Sequence, residues 1–499
     1  MYLSVLAAVV VCLAAWLYSR WLKVKRFWAD RGVPHLPPHP IFGSLTFLQQ
    51  VNPGIWMQKI YEHFDSPYVG AWMFWRPALI INSPEIARNV LVKDSAVFRN
   101  RFLSSASHDT IGSLNIFTAN DPLWSNVRRR LTPMFTSSKL KTIQLLMASK
   151  SKELVQRIAM ERKKGRFNIK SIYNDYTTDI IGTASFGIES DATLTGDSAL
   201  RTVTKDFEKF SFYRGCAWSS IFFFPELVKV FRFRFFPKAA TDYFRKIFHI
   251  IVEQRKEEFQ DNAEPRDLLD ILLKMKKQSI EENDEISDEV IISQAAIFLQ
   301  AGYDTSGTGL SFGTYELAHH PEIQEKLYKE LKEAKEKIGG ADFDDTTLSQ
   351  MTYLNCIVKE IFRKYQPMAW LDRIGTRDYA IDDKLTIPAG TPIYVNVMGM
   401  HYDPNYFPEP NKFDPDRFLP ENECNIKKFT YMPFGEGPRI CIGQRFGLAN
   451  MRNSLATLVL NYELKPFPNT PKPADIEIEK NGLFLTPGEP LYVDFVPRI

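Results

Sequence analysis

The stretch FGEGPRICIGQRFG, from Phe434 to Gly447, places Cys441 in a glycine-rich loop. A thiolate is the form that binds metals or attacks electrophiles, and a helix N-terminus or a nearby cation lowers a thiol's pKa. Arg439 stands two residues before the cysteine, and helical sequence follows it. Glycines at 435, 437 and 443 let backbone lie against a bulky flat ligand without Cβ clashes, and Phe434 can pack beneath. A nucleophile would need a base, and none of the eight histidines lies in this segment. On these residues alone a metal ligand, a nucleophile and an inert buried cysteine all stay open.

A second unusual stretch is AGYDTSGTG, residues 301–309. Glycines, threonines and an aspartate are poor choices for a helix interior. Gly302 removes a side chain where something must approach the backbone. Asp304 and Thr305 bring a carboxylate and a hydroxyl into an apolar run. One reading is a kink whose polar groups bond to nearby carbonyls; the other is a small-molecule pocket with a proton-relay pair.

Trp124 and Arg128 are four apart, on one helix face, where an indole N–H and a guanidinium could together bind one carboxylate. A core tryptophan beside a solvated basic helix end is the competing reading. Glu360 and Arg363 share a face at i and i+3, normally a weak surface pair. FDPDRF (413–418) supplies Arg417, and one glutamate held by two arginines would be a buried structural network. Arg373 is a further cation after Pro367.

These residues need elements to position them. Ser287 is a plausible N-cap, and an apolar run follows it, nearly all round, so a buried helix is expected over 288–319. Thirty-two residues would span roughly 48 Å, enough to cross the body. YVGAWMFW, then Arg76-Pro77, then ALIIN read as strands, helical patterns dominate from about 84 to 366, and a hairpin is expected around TPGEP (486–490). VPHLPPHP (33–40), with four prolines in eight residues, is expected to be a stiff hinge. Residues 1–19 carry no charge and span about 28 Å as a helix, close to a bilayer core. The basic residues follow that run, which predicts an uncleaved anchor with a cytoplasmic body; a signal peptide is the alternative.

Composition sets the limits. The chain has 499 residues, 44% of them hydrophobic, and 37 phenylalanines, so it supports a large, aromatic-rich core. A net charge of +3 gives no nucleic-acid footprint. Five scattered cysteines without CxxC argue against a disulfide scaffold or a structural zinc.

Taken in order, Trp124-x-x-x-Arg128, AGYDTS, Glu360-x-x-Arg363, Pro415-Asp416-Arg417-Phe418 and the loop Phe434, Gly437, Arg439, Cys441, Gly443 resemble the cytochrome P450 family. The resemblance covers everything after the proline segment. RRRLTPMFTSSKLK and FGEGPRICIG resemble the insect microsomal enzymes of the detoxifying groups. One departure is Gln366, where related sequences often carry a second proline.

The resemblance implies a mostly α fold with a small β part. A transmembrane helix (1–20), a basic and proline-rich hinge (21–40) and one haem-binding catalytic domain (41–499) would follow in order. It implies haem b with Cys441 as axial thiolate, and propionates neutralised by Trp124, Arg128, Arg373 and Arg439. Phe434 and Gly443 would complete the loop, and Ala301, Gly302, Asp304 and Thr305 would border the oxygen site. Thr305 would steady the oxygen being reduced, and Asp304 would help deliver protons. The implied reaction places one oxygen atom of O2 into a lipophilic small molecule. No dinucleotide fingerprint is present, so NADPH electrons would come from a separate membrane-bound flavoprotein reductase, with cytochrome b5 as a second donor. Arg129, Arg130, Lys139, Lys427, Lys428 and Arg445 would offer the reductase a basic face. The endoplasmic reticulum membrane, catalytic domain on the cytosolic side, is the implied location.

Expected pocket linings are the loop 102–117, the segment 207–212, Phe298, the turn 368–370 and residues 483–485; residues 222–237 are expected to touch the membrane surface. Competing readings are a haem-thiolate isomerase or dehydratase acting on hydroperoxides, oxidation of a hormone or fatty acid rather than a foreign compound, and a non-catalytic haem carrier. Thr305 argues against the first.

Overall fold

The computed structural model describes residues 2–135, 137–258, 264–282 and 286–498, and the side chains of these except 137–140, 142 and 256–258. Helices dominate, and a small sheet lies to one side. β1 (Tyr68–Met73) and β2 (Arg76–Ile81) form an antiparallel hairpin, as the strand-like sequence predicts, and its residues are buried on both faces, alternate ones entering two separate core clusters. β3 (Leu371–Ile374) and β4 (Pro392–Val395) complete a sheet of order β1-β2-β4-β3. β3 matters most for function, because it sets Asp372 and Arg373 in the interior.

At the C-terminal end β5 (Tyr462–Pro466) pairs antiparallel with β6 (Val493–Pro497). Around TPGEP the expected hairpin is reduced to one bridge, Ile478 to Pro487, with Gly488 N–H bonding to Glu477 O.

The central helix runs from Asp288 to His319, thirty-two residues, as the apolar pattern requires. Ser287 is its N-cap by position, but its hydroxyl makes no capping bond; the backbone carbonyl of Ser287 receives Val290 N–H instead. Residues 283–285 of the preceding acidic turn lie outside the described residues. The helix packs chiefly on Ile169–Phe186. At its far end Glu316 is buried and accepts from Lys364 Nζ at 2.6 Å and Tyr365 Oη at 2.6 Å, while Tyr365 stacks on Phe312 with centroids 4.1 Å apart. This clamps the central helix to the helix Thr352–Lys364.

The first helix spans Tyr2–Arg26 with no buried residue, and it is the one helix among the described residues long and apolar enough to cross a membrane. The proline segment is not a free hinge. Trp28 is fully buried and donates to Ala71 O at 2.9 Å, Gly70 N–H donates to Pro34 O at 2.8 Å, and His35 bridges Gly70 in parallel. Prolines fix extended backbone but leave their carbonyls as acceptors, so the segment adds itself to the sheet edge. Residues 222–237 also differ from expectation. Phe222, Phe223, Phe224, Phe233, Phe235 and Phe236 turn inward, and of the segment's large apolar residues Val230 and Phe231 are exposed. Once the short helix Glu226–Phe231 forms, its spacing sends the phenylalanines that follow it back to the core.

The proximal side is braced as the sequence predicts. Arg363 grips Glu360 with two bonds of 2.7 and 2.8 Å, Arg417 Nε lies 3.5 Å from the same carboxylate, and Glu360 and Arg363 are wholly buried. Arg363 also donates to His401 O at 2.8 Å and Pro410 O at 2.8 Å, tying the segment 401–417 to this helix. Removing one partner of such a pair costs about 3–5 kcal/mol, since the other charge stays buried. Glu360→Ala should lower the unfolding free energy by that amount in urea titration of the solubilised protein. A loss under about 1 kcal/mol, the range of exposed pairs, would mean that solvent reaches the pair.

Candidate functional site: a cysteine loop beside buried arginines

The cysteine loop is closed by its own backbone: Cys441 N–H donates to Phe434 O at 2.9 Å, and Gly435 N–H to Met432 O at 3.0 Å. Gly437 holds φ +74°, and a Cβ there would fall 1.9 Å from Leu91 O, so only glycine fits. Phe434 packs edge-on to Phe362, centroids 5.0 Å apart. Gly443 caps the helix Gln444–Asn461, placing Cys441 just before a helix N-terminus. The nearest atom to a Cβ built on Gly443 is 4.0 Å away, on Phe135, so this side of the loop is a shallow open cradle.

Cys441 has accessible surface and yet lies deep in the protein mass. Burial pushes its thiol above the ordinary range, while a backbone bond, Arg128 and Arg101 pull it back. The expected cation, Arg439, does not act on it. Instead Arg439 donates to Arg99 O at 2.6 Å and Ala119 O at 3.0 Å, and lies 4.2 Å over the Trp124 ring. The protein alone therefore does not make this thiol a thiolate; a bound metal cation would.

Around the loop the chain buries positive charge. Arg373, on β3, donates to Asp372 O at 2.7 Å, and burial, with Arg101, pushes its pKa down to about 10. Arg439 is pushed down to about 8, first by burial, then by Arg101 and Arg373. Arg101, absent from the sequence expectations, lies 3.5 Å from Asp372 and 4.3 Å over Phe117, with its Nε unpartnered. Arg439 Nη1 is likewise buried without a partner. Arg128 shares the Trp124 helix, and burial lowers its pKa too. Asp372 is the carboxylate that faces Arg101, and it is already engaged by the N–H groups of Phe102 and Leu103. The cluster holds more positive than negative charge.

On the central helix Ala301 is exposed although most of its neighbours are buried. Thr305 donates to Ala301 O at 2.7 Å, so its hydroxyl has a partner and keeps only acceptor capacity for a ligand. Asp304 accepts from Gln300 Nε2 at 3.4 Å, and burial pushes its carboxyl pKa up. At Gly302 a Cβ would meet Ile181 at 2.4 Å, so the neighbouring helix approaches its backbone there.

The aromatic wall differs in part from expectation. Phe222 meets Phe117 (6.1 Å), Phe484 (6.5 Å) and Trp370 (6.2 Å), and Trp218 meets Phe484 (5.8 Å). Phe298 turns instead onto Phe135, at 5.8 Å, and Phe207 onto Phe236. Of the basic face, Arg130 is held by Glu282 and Lys427 by Glu85; Arg129, Lys428 and Arg445 stay exposed, and the Lys139 side chain lies outside the described residues.

With this geometry in hand, the comparisons are decisive. The cytochrome P450 family profile matches residues 33–495. The chain is 34% identical to cytochrome P450 6k1 of Blattella germanica, over 98% of this chain and 96% of that protein. It is 33% identical to the probable cytochrome P450 6g2 of Drosophila melanogaster, over 89% and 90%.

The chain belongs to the cytochrome P450 family.

It is a haem-thiolate monooxygenase similar to insect members of the family. The residues fit the cofactor. A haem carries two carboxylates and an iron that takes an axial base, and this cluster offers unpartnered guanidinium nitrogens at Arg101 and Arg439 and a thiol that needs a cation.

His401 supports the loop from behind. Its Nε2 accepts from Met432 N–H at 2.9 Å while Nδ1 faces Arg363 O at 3.0 Å and Gln366 Oε1 at 3.2 Å, which assigns the proton to Nδ1. Gln366 thus accepts from the histidine. Burial pushes the His401 pKa from 6.5 down to about 3. Between those values the unfolded chain holds a proton that the folded one does not, so stability falls as pH drops through that window. Replacing the histidine by glutamine, His401→Gln, should flatten this loss, read as the change in Tm between pH 7 and pH 5. An unchanged pH dependence would refute the assignment.

Proposed function

We propose that this enzyme uses O2, NADPH electrons and haem b to place one oxygen atom into lipophilic small molecules, foreign compounds foremost. The observation that carries the reading is the under-neutralised arginine cluster beside the cysteine loop. Arg373, Arg439, Arg101, Arg128 and the Trp124 indole would hold the haem carboxylates, and Cys441 would bind the iron. Phe434 and Gly443 would support the haem on the cysteine side, and Ala301 would face it from the central helix. When bound, the haem supplies O2 activation. Asp304, whose raised pKa lets it keep a proton more readily than an ordinary carboxyl, passes protons inward, and Thr305 accepts a hydrogen bond from an ordering water.

Electrons come from a flavoprotein reductase that docks near Arg129, Lys428 and Arg445, with cytochrome b5 as a second donor. The first helix anchors the enzyme in the endoplasmic reticulum membrane with the catalytic body in the cytosol. The exposed apolar residues Ile41, Phe42, Phe212, Tyr213, Val230 and Phe231 rest on lipid.

Two measurements test this. The reduced, carbon monoxide-bound enzyme should absorb near ~450 nm through a thiolate-ligated iron. Cys441→His should abolish that band, and a variant that keeps it would show that another residue is the ligand. Thr305→Ala should keep the band and bind substrate as before, yet form less product per NADPH and release more hydrogen peroxide. An unchanged product-to-NADPH ratio would make the hydroxyl a helix feature only.

A further inference from the structure

The proline segment and the turn after it join the edge of β1 at two places. Gly70 N–H donates to Pro34 O at 2.8 Å, and Ser44 N–H donates to Trp72 O at 2.8 Å. Between them residues 36–42 arch away from the strand. Pro37, Pro38 and Pro40 have no N–H for a ladder, so this stretch cannot close onto the edge. Beneath the arch lies a cleft of about 280 Å³. It is lined by Leu36 and Pro38 of the arch, by Trp56 and Ile60 of the helix Pro53–His63, and by Val69 and Ile80, cross-strand neighbours on β1 and β2. Ala71 follows on the same face of the sheet, while Trp28 and Trp72 pack on the other.

The polar groups along this cleft are already engaged. Ser44 Oγ accepts from Trp72 N–H at 3.0 Å. His39 Nδ1 accepts from Ile41 N–H and Phe42 N–H, at 3.2 Å each, and the backbones of His39 and Gly43 exchange bonds of 2.8 and 2.9 Å. None of the buried polar atoms left without a partner among the described residues belongs to this lining. The haem cluster is short of negative charge; this cleft offers mainly apolar contact, and a polar ligand would find little there to repay its lost water. Its volume is small for a ligand cavity and suits a single hydrocarbon chain better than a fused-ring body.

The first helix sets the level of the cleft relative to a bilayer. Arg20 is the first charged residue of the chain and marks where headgroups begin. One residue on, Trp21 packs against Trp75, ring centroids 6.0 Å apart, and Trp75 Nε1 donates to Pro40 O at 2.7 Å. The arch is thus held at the interface, and its outer residues Leu36, Ile41 and Phe42 are apolar and exposed.

We propose that this cleft is a lipid site: it takes the end of one acyl chain of a membrane phospholipid, and so fixes the body against the bilayer at the root of its anchor. This rests on the membrane-anchored reading and goes beyond it in assigning a bound lipid and its place.

The test uses the full-length holoenzyme in phosphatidylcholine vesicles that contain a phosphatidylcholine with a diazirine at the end of one acyl chain. After irradiation the labelled peptides are mapped by mass spectrometry. Label should appear on Ile60 and Val69, which are buried in the body, as well as on the first helix. Ala71→Leu, which fills the cleft, should cut the label at Ile60 about tenfold, what the loss of roughly two buried methylenes amounts to, and leave the first-helix label unchanged. Leu36→Asp, at an exposed position on the arch, should do the same without touching the core. Both variants should keep the ~450 nm band, which reports an intact body. Label confined to the first helix and to Ile41 and Phe42 overturns the proposal and leaves the anchor standing. Absence of label from the first helix as well would sink the membrane reading itself, so the two failures are distinguishable. Cleft label that persists undiminished in both variants also overturns the proposal. A fatty acid carrying the same diazirine serves as a second arm: if it labels Ile60 and the phospholipid does not, the occupant is a free lipophile, against the proposal.

Discussion

Taking a guanidinium out of water costs several kcal/mol unless a counter-charge goes with it. This chain buries two sets of such groups and treats them oppositely. Arg363 and Lys364 have their carboxylates, Glu360 and Glu316, at 2.6–2.8 Å, and they hold the helix Thr352–Lys364 against its surroundings. Arg101, Arg373 and Arg439 crowd around Asp372, repel one another and leave nitrogens unpartnered. The first set is structure completed by the chain itself. The second is left with more positive than negative charge by the chain itself, where the sheet that carries Arg373, the loop that carries Arg101 and Asp372 meet, and the proposed haem carboxylates would complete it.

Close backbone approach sets the remaining geometry. The central helix lies against Ile169–Phe186 because Gly302 admits Ile181, and the cysteine loop passes Leu91 because Gly437 has no Cβ. The polar groups of the helix, Asp304 and Thr305, keep local partners within one turn, at Gln300 and Ala301. Proton handling can therefore be built into the helix without breaking it, since each group spends only part of its hydrogen-bonding capacity on the backbone or a neighbour.

The N-terminal region is more tightly joined to the body than a linker would be. Trp28 fills the space over Gly70, and Trp72 reaches back to Val24 O at 3.0 Å, so the first helix leaves the sheet at a fixed root. Exposed apolar residues at Ile41, Phe42, Val230 and Phe231 add to the surface near which a membrane would lie. Orientation on a bilayer would then be governed by packing rather than by a flexible tether.

Much was legible in the chain before any coordinates. The apolar run after Ser287 described a buried helix whose limits are those expected, while its polar middle left a kink and a pocket both open. The spacing Glu360, Arg363 and Arg417 described a network that the fold realises, and the glycine pattern around Cys441 defined the loop. Local sequence could determine the Glu360–Arg363 pair and the loop because their residues are neighbours on one helix face or within one turn; Arg417, more than fifty residues on, entered through the motif FDPDRF. Arg101 carried no such signal: it has no partner at i+3 or i+4, and its importance comes from Arg373 and Arg439, more than 250 residues away. The same holds for the side of Arg439 that faces Trp124 rather than the cysteine, for the close approach of Ile181 to Gly302 and for the inward phenylalanines after residue 231. In each case the deciding quantity is what stands opposite in space. Only tertiary packing, which fixes burial and the distance between charges, could decide it.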